Sequence, residues 1–266
     1  MRTNNVRTLY AFGDSFTLNF DEEWTWIRAL GKKLNVNALH NSSANGVSND
    51  WILLQLRKQL DNITKDDVVV VILTAPNRSW LLEKYPEYSN YSVANLDELI
   101  TEEEASSIKN YVLNIQRDNI DLFRFEHQLA WLKQIQKTIG FNLLVIPGFP
   151  LTIDYTGLIE VIGDLGSSVA SAEFCSNKDN DEWYYQGIDT RYNHMIRDNH
   201  AILVDKCVKS LLTNQPLNLA VGFKRSILKV TDRYTHKQLG PMLIIQAKQL
   251  SEKSNRTSDS PSWLDK

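Results

Sequence analysis

The chain has 266 residues, 42% hydrophobic and 23% charged, with a formal net charge of -3. That length and apolar content suffice for one sizeable core in one or two domains, and the near balance of charge excludes an electrostatic footprint for nucleic acid or for an anionic membrane. No apolar run reaches the roughly 18 residues of a membrane span, the opening MRTNNVRTLYAFGDS holds no apolar stretch of secretory length, and Cys175 and Cys207 have neither metal spacing nor a disulfide framework, so a cytoplasmic location is expected.

The first apolar run, Val6 to Phe12, leads into Gly13-Asp14-Ser15. It is continuous rather than alternating, the pattern of a strand buried on both faces. WTWIRALGKKL (Trp24 to Leu34) follows with apolar residues at helical spacing. LHNSSANGVSND (Leu39 to Asp50) reads as a loop of small residues that opens a second helical pattern, Asp50 to Leu60. DVVVVIL (Asp67 to Leu73) is a second buried strand and ends in Thr74-Ala75-Pro76-Asn77. Lys84 to Ala105 is polar, aromatic and acidic, either a lid at the rim or a solvated loop. One long helical segment, Ser106 to Thr138, precedes the third buried strand, Asn142 to Ile146. AILVDKCVKSLL reads as a helix with His200 in its first turn. Past about residue 212 the periodicity fades. The expected layout is one α/β domain over 1–212, an appendage over 213–250 and a polar, disordered tail over 251–266. Strands alternating with helices predict a parallel sheet covered on both faces. Ligands of such sheets sit beyond the carboxyl ends of the strands, which puts Ser15 and Asn77 along one rim.

A serine acts as a nucleophile when it is exposed, near a base and beside donors for an oxyanion. A strand ending in Gly13-Asp14-Ser15 ahead of a helix supplies the exposure and free N–H groups, although the triplet alone equally serves an ordinary turn. Asp14, in that turn, is expected to bond backbone locally. Ser48 or Asn49 suits a helix N-cap, while Gly46 lets backbone approach a bound group. Asn77 is either a turn residue or an amide donor to an oxyanion. His194 and His200 lie six apart, off any shared helix face, which argues against a paired metal site. A loop histidine such as His194 suits a general base. Phe16, Trp80, Tyr85 and Trp183 to Tyr185 either line an acyl or sugar pocket or pack loops onto the domain.

These pieces, in this order, resemble the SGNH (GDSL-type) hydrolase family, named for Ser, Gly, Asn and His in four blocks. Gly13-Asp14-Ser15 matches the first block and Asn41-x-x-x-x-Gly46 the second. The third, usually G-x-N-D, stands as Ala75-Pro76-Asn77-Arg78 and keeps only its asparagine. The fourth, usually D-x-x-H, departs furthest. Arg191 stands three residues before His194 and Arg197 three before His200, and the nearest acid upstream of His194 is Asp189. The match spans about Arg7 to Leu212, and the spacing is similar to family members encoded by tailed bacteriophages. The resemblance implies a three-layer α/β/α sandwich with a mostly parallel, flavodoxin-like sheet. It also implies an esterase that cleaves an O-acyl ester, a carbohydrate O-acetyl group for instance, with no metal or organic cofactor. Ser15 would attack, His194 would take the proton and Asp189 would orient the imidazole. The Ser15 and Gly46 N–H groups and the Asn77 amide would form the oxyanion hole. Arg78 and Arg191 are either ion-paired loop residues or a substrate-binding pair for an anionic group. Two rivals share the fold. One is a binding or structural module, as in a phage particle, with self-association or particle contacts through the C-terminal region. The other is acyl transfer to an alcohol by the same serine and histidine.

Overall fold

The computed structural model describes residues 8–17, 23, 25–83, 101–166, 195 and 197–224. Its elements are β1 (Thr8–Gly13), α1 (Trp26–Lys33), β2 (Ala38–Ser43), α2 (Asn49–Gln59), β3 (Val68–Leu73), α3 (Glu102–Asn114), α4 (Asp118–Ile139), β4 (Asn142–Pro147), β5 (Val161–Ile162), α5 (Arg197–Thr213) and β6 (Leu217–Asn218). Four strands form a wholly parallel sheet in the order β2-β1-β3-β4, and β5 pairs with β6 in a small parallel ladder.

The strand sequences explain the layering. All six residues of Val68–Leu73 are buried, and successive side chains point to opposite faces. On one face Leu9, Ala11, Val68, Val70 and Ile72 meet Trp26, Ile27 and Leu30 of α1 and Leu203, Val204 and Cys207 of α5. On the other, Tyr10, Phe12, Val69, Val71 and Leu73 meet Ile52, Leu53 and Leu56 of α2 and Phe125 and Leu132 of α4. Each fully buried Val, Leu, Ile or Phe among them contributes about 1.5–3 kcal/mol. The result is the expected three-layer α/β/α sandwich. The Cys207 thiol lies wholly in this core, and burial pushes its pKa up. Among the described residues no helix is long and apolar enough to cross a membrane.

Three expectations need correction. LHNSS is no loop: Ala38–Ser43 is an edge strand, paired with β1 from Thr8↔Ala38 to Gly13↔Ser43. Its side chains are mostly half-buried, so it lacks the continuous apolar run that marks the inner strands. Its order comes from the β1 ladder and from His40, whose ring lies 5.6 Å from Tyr10 and 6.2 Å from Phe12. The long helix is two helices. α3 starts inside the supposed insertion, with a Thr101/Glu104 capping box, and α4 restarts after Arg117 in extended conformation. Finally, the packed unit runs on past residue 212. Leu217 and Leu219 are fully buried, and the Asn199 carboxamide both donates to the Lys224 carbonyl and accepts its N–H, at 2.9 and 2.7 Å. Two leucines are too few to show as periodicity. Residues 84–100 and 225–266 lie outside the described residues.

The first turn of α1 is closed by a distant residue. Thr25, its N-cap, makes no side-chain capping bond. Instead the Trp26 N–H donates to His200 Nδ1 on α5 at 3.0 Å. His200→Ala leaves that buried donor unsatisfied and is expected to cost about 1–3 kcal/mol. His200→Asn, which keeps an acceptor on a short side chain, should lose less. Urea unfolding of the two variants checks both.

Candidate active site

The carboxyl ends of β1, β2 and β3 share one rim, and the first three motif pieces sit on it. β1 ends in a tight turn. The Thr17 N–H and hydroxyl both donate to the Asp14 carbonyl, at 3.1 and 2.9 Å, and the Phe16 N–H donates to Asp14 Oδ1 at 3.1 Å. Asp14 thus bonds backbone locally, as its place beside a turn serine predicts. Ser15 sits inside this turn, half-buried. Gly13 allows it. A Cβ there would lie 2.4 Å from Thr17 Oγ1 and 2.9 Å from Ile72 Cβ. The Trp26 indole donates to the Phe16 carbonyl at 2.7 Å, pinning the turn from α1. That helix begins only at Trp26, so the N–H groups closest in sequence to Ser15 belong to the turn itself.

Asn41 lies on β2, and its carboxamide donates to the Thr17 carbonyl at 2.7 Å, which ties the edge strand to the serine turn. The Ser43 hydroxyl donates to its oxygen in turn. Gly46 has φ +67°, the left-handed region that suits glycine. Of the two residues expected to cap α2, Ser48 does so, accepting the Trp51 N–H at 3.3 Å. Asn49 has another task. Buried, it clasps both backbone groups of Thr74 at the end of β3, at 2.9 and 2.8 Å.

Asn77 stands exposed in a turn closed by the Arg78 N–H on the Ala75 carbonyl at 3.1 Å. Its own carbonyl accepts from Gln116 Nε2 at 2.5 Å, and that amide also donates to Asp121 at 2.8 Å. Arg78 turns inward. Its Nη1 donates to Asp14 Oδ2 at 3.3 Å, and its guanidinium lies 4.9 Å over the Phe149 ring. Asp14 is fully buried, and burial pushes its carboxyl above the usual carboxylate range. The Arg78 charge opposes this most strongly, then the Phe16 N–H and the nearby Thr74 hydroxyl. Burial likewise pulls Arg78 down, against the attraction of Asp14.

His194, Asp189, Arg191 and Cys175 lie outside the described residues. Met195, beside His194 in sequence, is buried in the same core as Phe16, beside Ser15. Sequence reasoning missed Asn49, Gln116, Phe149 and the indole of Trp26 as supports of the rim. Each works through a partner distant in the chain, so no local pattern marks it.

The fold is a doubly wound α/β sandwich with a serine turn at the end of its first strand. No family model matches the chain, and no curated protein matches it. Among solved structures it is similar to a phospholipase A1 from Streptomyces albidoflavus, with 11% identity and a TM-score of 0.30 over 56% of this chain and 62% of that one. It is also similar to protein YxiM from Bacillus subtilis, with 13% identity and a TM-score of 0.30 over 94% of this chain and 57% of that one. The chain thus matches about three fifths of the length of each of these structures.

Proposed function

We propose that the chain is a serine esterase of the SGNH type that cleaves an O-acyl ester, a carbohydrate O-acetyl group for instance. The observation that carries this reading is the Ser15 turn at the carboxyl end of β1, held to β2 through Asn41 and to the Asn77 turn through Asp14 and Arg78. Ser15 Oγ attacks the acyl carbon while His194 takes its proton, with Asp189 orienting the imidazole. The oxyanion that forms accepts from the Ser15 and Gly46 N–H groups and the Asn77 amide. Collapse expels the alcohol, which His194 protonates, and water then releases the acid from Ser15 by the same steps. Arg191 is assigned to an anionic group of the substrate or product.

The departures from the family pattern at Arg78 and Arg191 favour a second reading, a module of the same fold that binds without catalysis. A fluorophosphonate probe separates the two. The esterase gains one covalent adduct by intact mass, mapped to Ser15 and absent in Ser15→Ala. A folded wild type that gains none sinks the esterase reading.

A further inference from the structure

We infer that the Asp14–Arg78 ion pair is a strut that sets the serine turn against the Asn77 turn, and that Arg78 is a positioning residue rather than a substrate ligand. The inference rests on the esterase reading for its kinetic part alone.

The pair joins the neighbours of the two assigned site residues. Asp14 precedes Ser15, and Arg78 follows Asn77, 64 residues later than Asp14 in the chain. The β1–β3 ladder has its last register pair at Phe12 and Val71, and the Arg78–Asp14 bond links the two segments again beyond it. The grip is double. Phe149, under the guanidinium, meets Phe16 edge-on at 5.7 Å between ring centres. One Arg78–Phe149 unit therefore holds the residues on both sides of Ser15. Gln116 holds the Asn77 carbonyl as well.

The burial points the same way. The Asp14 side chain is 0% exposed and that of Arg78 19%. A charged pair this dry gains little net stability over apolar residues of the same shape, yet losing one partner strands the other charge. Geometry is the better reason to keep it. The guanidinium gives Nη1 to a buried carboxylate and one of its faces to the Phe149 ring, so its fork is already engaged within the protein. Among the described residues Arg78 is the one charged group acting on Asp14, beside the Phe16 N–H and the Thr74 hydroxyl.

The test uses the full chain and the variants Arg78→Met, Arg78→Lys, Asp14→Asn and the double Asp14→Asn/Arg78→Met. Rates are read with neutral p-nitrophenyl acetate and anionic p-nitrophenyl hemisuccinate, and stability by urea unfolding. For a strut, Arg78→Met lowers kcat about 10²-fold on both esters with KM unchanged, the signature of misplaced groups. Arg78→Lys recovers part of the rate, because a point charge replaces the fork. The double variant unfolds at higher urea than Arg78→Met, because no buried charge is left alone. Arg78→Met also loses more stability at pH 8 than at pH 5. With its counter-charge gone, the buried Asp14 carboxyl favours its protonated form, and that benefit fades as pH climbs through its folded-state pKa.

A rise in KM confined to the anionic ester, with kcat unchanged, makes Arg78 a substrate ligand and overturns the strut. So do single-variant losses that simply add in the double. Should the wild type turn over neither ester and leave Ser15 unlabelled, the esterase reading fails by itself. The urea coupling then decides the tie alone: a rescued double upholds it and an additive double overturns it.

Discussion

Ser15→Ala is expected to lower kcat on p-nitrophenyl acetate by about 10⁴-fold or more while the circular dichroism spectrum stays that of the wild type. On the proposed reading the loss is large because Ser15 is the group that forms the acyl intermediate. The fold should not notice, because Ser15 is half-buried in a turn whose hydrogen bonds run through Asp14, Phe16 and Thr17. His194→Ala should lose as much, and Ser15→Ala/His194→Ala no more than either, since the two residues act on one step. Asn77→Ala, which on the proposed reading removes one oxyanion donor, is expected to cost about 10²–10³-fold. Initial rates on the wild type and the four purified variants check the set. Equal rates in all of them would mean the ester is not turned over at this site, and the binding module would become the better account.

Gly13→Ala should damage both stability and rate. The added methyl meets Thr17 Oγ1 at 2.4 Å and Ile72 Cβ at 2.9 Å. The first contact can yield by moving a small hydroxyl, at the expense of its bond to the Asp14 carbonyl. The second cannot, because the Ile72 branch point is stiff and sits in the middle of a close-packed sheet. Overpacking of this kind costs about 1–3 kcal/mol. Relief by pushing β1 from β3 shifts the very end that carries Ser15, and a displacement of about 1 Å there is worth about 10²-fold in rate. Adding Thr17→Ala to Gly13→Ala removes both Thr17 contacts, Oγ1 at 2.4 Å and Cγ2 at 3.1 Å, but leaves Ile72 Cβ, so it should restore only part. Urea midpoints and initial rates for the single and double variants measure both effects. A Gly13→Ala protein as stable and as active as the wild type would show that the turn has room this geometry denies it.

The inner strands were legible because burial on both faces leaves an unbroken apolar run, as in DVVVVIL. The helices α1, α2 and α5 were legible because one apolar face repeats at helical spacing. β2 was hidden because its side chains are mostly half-buried and its order comes from the β1 backbone, so His40 and Asn41 look like loop residues, whereas β4, at the other edge of the described sheet, keeps a buried apolar run. The break at 115–117 was hidden because both flanking segments keep helical patterning across it.

The site divides along the same line. Sequence alone determined what is local: a glycine that permits the turn, an aspartate that bonds the turn's own N–H, the serine between them, and an asparagine a short step past a buried strand. Tertiary structure alone decided what each distant polar group does. It turned Arg78 inward onto Asp14, gave Asn49 to Thr74 rather than to a helix cap, and sent His200 to the first turn of α1. The reason is physical. Turn chemistry and periodicity act over a few bonds and are written in adjacent residues. The partner of a buried charge or amide is whichever group the packed sheet brings within about 3 Å of it, and nothing in its own neighbourhood of the chain encodes that choice.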